Sequence, residues 1–301
     1  MPGSDRDRSP YLIYGLLFLT MIFWGGTFVA GRLVALESPP LTGAFWRFLL
    51  AVLALWPFVR MREGGWRPRG LAGSGWLLLA LMGFTGAFAY NYFFIKGLAS
   101  TDAGRASVIV AANPCLTYAG AALFFGEKFT RRSLLGFACG LGGAAWAISH
   151  GQPWNFLRGG AGLGEILIFG CVVCWSGYSL LGKLALERLT PLMATTWACL
   201  FGLLCLLPAA LLESGPWAFL DFRLSTWLSL AFLGFLGTAL GFTWFYQGIA
   251  RLGARRTVVF INLVPVFGLL SGWLLLGEKL SLSLAAGLVL VLTGISLIQR
   301  T

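Results

Sequence analysis

The amino-acid sequence predicts an all-α polytopic membrane protein with ten transmembrane helices arranged as an inverted 5+5 repeat. Three observations predict this fold: the composition, a succession of ten apolar runs, and an internal similarity at constant spacing. Hydrophobic residues make up 58% of the 301 residues and charged residues only 11%, whereas soluble domains carry about 25% charged residues. A soluble fold needs a polar exterior, so this composition favours an exterior that contacts lipid.

Each of the ten apolar runs is close to the length of about 20 residues that a helix needs to cross the hydrocarbon core. Short connections rich in Gly, Pro and charge separate them and leave no room for a soluble domain. Strands of a membrane barrel alternate in polarity and last only about ten residues, so continuous runs indicate helices. The first run is too long for the apolar part of a cleaved signal peptide and is predicted to span. The expected spans are residues 11–31, 41–60, 71–96, 106–126, 133–149, 163–182, 190–212, 224–250, 257–277 and 280–299.

The chain is an internal duplication with an offset of 151 residues. The matching positions include Trp24 with Trp175, Pro114 with Pro265, and the tripeptide GEK at 126–128 with GEK at 277–279. Chance similarity between apolar runs does not explain one offset that persists without a gap. Each repeat holds five spans, an odd number, so the second repeat enters the membrane from the opposite side. We therefore expect one five-helix repeat over residues 1–150 and an inverted one over 151–301.

The basic residues predict the orientation. Of the 22 Lys and Arg residues, 15 fall in segments on the same side as the N terminus, 6 fall on the other side, and Arg47 lies within a span. Because basic residues concentrate on the cytoplasmic side, both termini are expected there, in the cell's inner (plasma) membrane. The net charge of +11 is explained by this distribution, and no nucleic-acid partner is expected.

Several motifs point to a known family. They are FWGGTFVAGR in the first span, FWRF at 45–48, and the proline-containing helices that end in FFGEK and LLGEK. With the five-plus-five duplication they resemble the drug/metabolite transporter superfamily, in particular its EamA-type exporters. The richness in aromatic residues looks most like the YddG branch of aromatic amino acid exporters. The resemblance implies a central cavity lined by the first, third and fourth spans of each repeat, with each fifth span at the periphery.

Arg47 is the most conspicuous polar residue. An Arg inside a span costs about 2.5–3.5 kcal/mol on insertion scales, so it usually faces protein or water. One interpretation is structural: Arg47 reaches the outer interface or ties helices together through carbonyl groups. The other is that it holds the carboxylate of a substrate. Its repeat mate is Ala198, so the duplication itself does not require the charge.

Two prolines occupy equivalent positions in the fourth span of each repeat. Pro114 and Pro265 are expected within helices, where proline removes a backbone hydrogen bond and introduces a kink. Asn113 and Asn262 lie close by and offer polar groups for the freed backbone or for a substrate. The prolines are either structural kinks or hinges of a gate, and their occurrence in both repeats favours hinges.

Aromatic and polar residues alternate in the third span of each repeat. Rings with polar groups suit flat or zwitterionic solutes, through stacking and contacts with an ammonium group. The alternative is an aromatic belt at the membrane interface, which is the prediction for Trp66, Trp154, Trp217 and Trp227. The expected lining residues are Trp24, Tyr90, Asn91, Tyr92 and Lys96 in the first repeat, and Trp175, Tyr178, Thr243, Trp244, Tyr246 and Gln247 in the second.

The remaining reactive groups predict neither metal nor cofactor. Cys171 and Cys174 form a CxxC without His or carboxylate companions, so helix packing is the preferred interpretation. Glu127 and Glu278 are expected to make local ion pairs at helix ends, with a gating role as the alternative. The only histidine, His150, lies at the end of a span.

These features predict a transporter rather than an enzyme. No span carries clustered catalytic groups, and no carboxylate lies at mid-span, so facilitated diffusion is favoured over proton coupling. The expected activity is export of aromatic and other neutral amino acids and related metabolites by alternating access. The alternatives are a multidrug or other metabolite efflux carrier and a lipid-carrier flippase subunit. The expected partners are the bilayer and small solutes, with a monomer or homodimer as the assembly.

Overall fold

The computed structural model describes residues 10–68, 70–126, 130–152, 154, 162–215 and 217–299, with backbone only at residues 10, 254 and 255. Within these ranges the chain forms ten long helices and no strand, which confirms the predicted fold class. The helices are α1 (Pro10–Glu37), α2 (Pro40–Glu63), α3 (Gly73–Leu98), α4 (Ala103–Phe125), α5 (Arg131–Ile148), α6 (Leu163–Ala185), α7 (Pro191–Ser214), α8 (Leu224–Leu252), α9 (Arg256–Leu276) and α10 (Leu282–Gln299).

Nine of these helices among the described residues are long and apolar enough to cross a membrane; the tenth, α5, begins with Arg131 and Arg132. The predicted spans are right in number but too short at several ends. Helix α1 continues to Glu37 rather than stopping at residue 31. Hydropathy marks only the apolar stretch, whereas polar groups at a helix end are held by hydrogen bonds to neighbouring helices.

The glycine of each GEK motif ends a helix. Gly126 follows α4 with φ 70°, and Gly277 follows α9 with φ 67°. Left-handed backbone of this kind is accessible to glycine at little cost and is the common way for a helix to stop. The motif therefore marks equivalent helix ends in the two repeats. Glu127 lies outside the described residues.

Helices α2 and α7 run antiparallel, and a carboxylate near the C terminus of each contacts the N-terminal end of the other. At one end, the Glu213 carboxylate accepts hydrogen bonds of 2.9 Å from the backbone N–H groups of both Leu41 and Thr42. At the other end, the Thr190 hydroxyl donates to Glu63 at 2.7 Å. A carboxylate at a helix N terminus satisfies free N–H groups and is favoured by the helix dipole. Contacts at both ends of an antiparallel pair are consistent with an inverted repeat.

The two fifth spans, α5 and α10, pack against each other through glycines. A Cβ atom added to Gly136 would lie 2.7 Å from the carbonyl oxygen of Gly294, and one added to Gly143 would lie 2.8 Å from that of Gly287. The backbones therefore touch, in antiparallel register. Small residues permit such close approach between membrane helices.

Replacing Gly143 with Leu is expected to destabilise the protein by about 1–3 kcal/mol, because the side chain would force the two backbones apart. Thermal unfolding in detergent, followed by loss of monodisperse protein on size exclusion, measures this effect. Gly142→Leu is the matched control, since nothing lies within 4 Å of a Cβ added there. Equal loss of stability in both variants would contradict the close contact.

Two pairs of tryptophans are related by the offset of 151 residues between the repeats. The rings of Trp46 and Trp227 lie 5.1 Å apart near one end of the bundle. Those of Trp76 and Trp197 lie 4.8 Å apart near the other. Each member of one pair is the 151-residue mate of a member of the other. The interfacial assignment of Trp227 therefore extends to a symmetric set, which links α2 to α8 and α7 to α3.

Helices α3 and α8 each contain a π-helical segment, Gly83–Ala89 and Phe232–Leu240. Gly83 packs so tightly on α7 that an added Cβ would lie 2.6 Å from the Ala198 carbonyl oxygen, and its mate Gly234 packs on α2 beside the Arg47 carbonyl. Segments of π-helix are rare and occur often at functional sites. The sequence pattern did not predict them.

The equivalent prolines begin new helical segments rather than kinking continuous helices. Helix α4 is interrupted at residues 111–112, and Pro114 lies in the first turn of its second segment, Asn113–Phe125. Pro265 similarly follows the 3-10 segment Val259–Leu263. Proline is compatible with a first turn because no hydrogen bond is lost there. Each of the two spans is therefore divided near its middle, as the sequence indicated. The division is an interruption between two helical segments rather than the expected kink in a continuous helix.

Candidate functional site

Aromatic side chains from both repeats meet in the interior of the bundle. The Tyr90 ring in α3 lies 5.5 Å from the Trp175 ring in α6, which lies 5.2 Å from Tyr178. Tyr178 packs against the π-helical segment of α3, since a Cβ added to Gly86 would lie 2.4 Å from its ring. The glycine thus makes room for a ring from the other repeat.

The contacts continue into the remaining helices. In α7, Thr195 interacts with Tyr178, and its hydroxyl lies 2.9 Å from the Tyr246 hydroxyl in α8. Phe242 stacks on Tyr246 with ring centres 6.0 Å apart and lies 5.6 Å from Trp24 in α1. We call this set the central row: Tyr90, Trp175, Tyr178, Thr195, Tyr246, Phe242 and Trp24. It offers ring faces and hydroxyl groups inside an otherwise apolar bundle.

Arg47 points into the bundle beside one end of the central row. One of its terminal nitrogens donates to the side-chain oxygen of Asn91 at 2.8 Å, and the guanidinium carbon lies 5.5 Å from the Phe48 ring and 5.9 Å from the Phe94 ring. Tyr90 lies within electrostatic range. The expectation that Arg47 reaches the interface is not met, because its partner is an interior side chain.

Asn91 fixes the position of Arg47. Its amide nitrogen donates to the Ala87 carbonyl at 2.9 Å and to the Gly86 carbonyl at 3.3 Å, both in the π-helical segment of α3. The Nε atom of Arg47 is buried and has no hydrogen-bond partner. Within the described ranges, no carboxylate forms an ion pair with Arg47. The result is a half-buried cation whose hydrogen-bonded partner is neutral and whose buried Nε donor is unused.

The other predicted lining residues lie apart from this group. Lys96 is exposed and donates to the Tyr92 hydroxyl on its own helix at 2.7 Å. The Asn262 amide donates to Gln299 near the end of α10 at 3.4 Å. Trp244 packs on Phe23, with ring centres 5.7 Å apart. Gln247 follows Tyr246 in the chain and is half-buried.

Asn113 occupies the break in α4 and leaves its side-chain oxygen buried without a partner. Its backbone carbonyl accepts from Ser176 at 3.5 Å, and Ser176 also accepts from Thr117 at 3.2 Å. This small polar group links α4 to α6, at the residue that directly follows Trp175. Asn113 therefore remains a candidate for solute contact.

Thr195, Phe242, Phe94 and Ser176 were missed by sequence reasoning. A signal existed for Thr195, which stands next to Thr196 in an otherwise apolar helix. The phenylalanines offered none, because α3 and α8 both contain several other phenylalanines. Among the described residues, the CxxC cysteines belong to no group of three or more His, Cys, Asp or Glu side chains that could hold a metal ion. The Cys171 thiol donates to the Tyr90 carbonyl at 3.5 Å.

Comparison with known proteins adds the family. Two successive stretches, residues 12–149 and 162–300, match the family described as the EamA-like transporter family. A solved crystal structure shares the fold with a TM-score of 0.64 at 20% identity, over 96% of this chain and 98% of that one.

Three curated relatives match over nearly their full lengths. The "Uncharacterized transporter YyaM" of Bacillus subtilis (strain 168) is 29% identical, over 94% of this chain and 92% of the relative. The "Probable terminal-alkyne amino-acid exporter" of Streptantibioticus cattleyicolor is 29% identical, over 94% and 92%. The "Probable amino-acid metabolite efflux pump" of Salmonella typhimurium is 29% identical, over 93% and 92%. Because both halves match the family and together they make up almost the whole sequence, the chain belongs to the EamA-like transporter family.

Proposed function

We propose that this protein exports amino acids by alternating access, binding the carboxylate at Arg47 and the side chain along the central row. The observation that carries the proposal is the inward-facing guanidinium of Arg47, whose buried Nε donor is unused and which has no ionic partner in the described residues. Two of the relatives bear names that refer to amino-acid export, which supports the same solute class.

The chemistry of Arg47 favours an anion as its missing partner. A buried charge is costly unless it is paired and hydrogen-bonded. A carboxylate would supply the opposite charge and would accept from the Nε atom and from a terminal nitrogen together, which suits the planar guanidinium. Asn91 leaves this possibility open, because it uses one terminal nitrogen only.

In this proposal, the central row contacts the side chain and the ammonium group of an aromatic or other neutral amino acid. Tryptophan and tyrosine rings give a large contact area, and their faces attract an ammonium group. The hydroxyl groups of Tyr246 and Thr195, 2.9 Å apart, offer further polar contacts. Aromatic and other neutral amino acids, as in the YddG branch, are therefore the proposed substrates.

The proposed cycle uses the repeats as units, residues 1–150 and 151–301, with Pro114 and Pro265 as hinges and with both termini cytoplasmic. Carboxylates with partners in the described ranges lie near helix ends, at Glu37, Glu63, Asp102, Glu165, Glu213 and Glu278. None is placed beside the central row to carry a proton. We propose that the solute gradient drives transport.

Proteoliposomes loaded with labelled phenylalanine are expected to release it faster than protein-free vesicles, at the same rate with and without a pH step across the membrane. Folded protein that moves none of the neutral amino acids would overturn the substrate class. Release that depends on the pH step would overturn the facilitative mechanism alone.

A further inference from the structure

The two ends of the bundle differ where helices α4 and α9 meet. We call the end near Glu278 the Glu278 end and the opposite one the Glu63 end. At the Glu278 end, the first segment of α4, Ala103–Val110, packs on the second segment of α9, Val264–Leu276. Among the described residues, the symmetry-related segments, 113–125 and 254–263, do not pack together in this way. The structure is thus closed at the Glu278 end.

Small residues make this closure possible. A Cβ added to Gly268 in α9 would lie 2.4 Å from the Cβ of Ser107 in α4, whose hydroxyl donates to the Pro265 carbonyl at 3.2 Å. The repeat mate of Ser107 is Val258, which is 36% exposed where Ser107 is 1% exposed. The two equivalent positions therefore differ in the size of the side chain and in whether a neighbouring helix covers it.

Glu278 lies in a slot formed by two further glycines. A Cβ added to Gly272 of α9 would lie 2.3 Å from its carboxylate, and one added to Gly104 of α4 would lie 3.3 Å away. The carboxylate accepts from the backbone N–H groups of Ala103 at 2.7 Å and Gly104 at 2.8 Å, at the N terminus of α4. The expectation of a local pair with Lys279 is therefore replaced by a contact across the two helices.

Arg32 completes the contact from α1. Its Nε atom lies 3.8 Å from Glu278, and another nitrogen lies 3.5 Å from Asp102. It also donates to the carbonyl groups of Leu98, at 3.3 Å, and Thr101. Glu278 and Arg32 together join α1, the connection between α3 and α4, and the connection between α9 and α10.

We propose that Glu278 is the residue that locks the gate at the Glu278 end, and that breaking its contacts with α4 opens this end of the transport path. On the orientation indicated by the basic residues, this is the outer gate, and the structure represents a state closed to the outside. The inference concerns access to the interior and does not depend on which solute is carried.

The test uses the Glu278→Gln variant. Glutamine keeps the shape but loses the charge that attracts Arg32 and the N terminus of α4, so closure should weaken. Two added cysteines report access in nanodiscs, where both faces meet a maleimide reagent: Ser107→Cys in the closed interface and Val258→Cys at its mate. The parent protein without an added cysteine gives the background from the native thiols.

We expect Glu278→Gln to raise the labelling rate at position 107 by about tenfold, which is the effect of a change of about 1.4 kcal/mol in closure, and to lower the rate at position 258. A Glu278→Asp variant keeps the charge with a shorter reach and should raise labelling at 107 less. Glu213→Gln is the matched control: Glu213 also accepts from two N–H groups at a helix start, but in the α2–α7 pair, so both rates should stay unchanged. No change with Glu278→Gln, or a parallel rise at both positions as from partial unfolding, would overturn the proposal.

Discussion

Replacing Arg47 with Gln is expected to reduce transport of tryptophan by roughly 10- to 100-fold at low concentration, while the bundle stays folded. Loss of a charge-assisted hydrogen bond to the carboxylate removes about 1.5–3 kcal/mol of binding, and each 1.4 kcal/mol is about tenfold. Glutamine ends two bonds short of the nitrogen that donates to Asn91, so this hydrogen bond is lost, but the variant also loses a charge that is costly to bury. Thermal stability in detergent should therefore be equal to or above that of the parent.

Tryptamine lacks the carboxylate of tryptophan. Comparing the two compounds therefore distinguishes a role of Arg47 in binding the carboxylate from a role in helix packing. If Arg47 holds the carboxylate, Arg47→Gln lowers inhibition of phenylalanine efflux by tryptophan and leaves inhibition by tryptamine unchanged. Arg105→Gln is a control for loss of a buried Arg. Arg105 donates to the Ala147 carbonyl at 2.6 Å and pairs with the buried Glu165, so its loss should lower stability without changing the preference between solutes. A fall in stability for Arg47→Gln, with equal losses for both solutes, would assign Arg47 to helix packing alone.

Replacing Trp175 with Ala is expected to slow transport of aromatic amino acids by about tenfold and that of alanine much less. Trp175 contacts both Tyr90 and Tyr178, so its removal breaks the central row between the repeats. Aromatic pairs contribute about 0.5–1.5 kcal/mol beyond the burial of area, which corresponds to a factor of up to about ten for a stacked solute. Competition against labelled phenylalanine by a series of amino acids measures the change in preference.

Trp273→Ala provides the control for this series, because Trp273 is 48% exposed on α9 and lies outside the central row. It should leave the ranking of amino acids intact. If Trp175→Ala slows all solutes alike, or none, the central row does not contact the solute side chain.

The duplicated architecture was predictable because matching residues recur along the chain at one constant offset. A single offset aligned Pro114 with Pro265 and the two GEK motifs, and the structure shows these as equivalent helix starts and ends. The same offset relates the tryptophan pairs across the bundle. Inverted topology followed from an odd number of spans, which needs no knowledge of side-chain packing.

The grouping of polar residues was less predictable, because hydropathy gives the depth of a residue but not the direction of its side chain. Lys96 and Asn91 lie five positions apart in the α-helical segment Tyr90–Leu98, so the helical period places them on different faces but does not tell which face is inside. Lys96 is exposed and Asn91 pairs with Arg47. The π-helical segment Gly83–Ala89 precedes both, and its wider turns change the direction in which the following residues point relative to the start of α3. Gly83 in that segment packs closely on α7, a tertiary contact that the local sequence does not reveal.

The glycine contact between α5 and α10 limits how the two halves can move. Backbones that already touch cannot approach further, and sliding would force the carbonyl groups of Gly287 and Gly294 against neighbouring side chains. Rotation about this line remains as the low-cost movement. In the proposed alternating-access cycle, we expect a rigid pivot of this kind to couple the two ends of the bundle mechanically, so that widening at one end is accompanied by narrowing at the other.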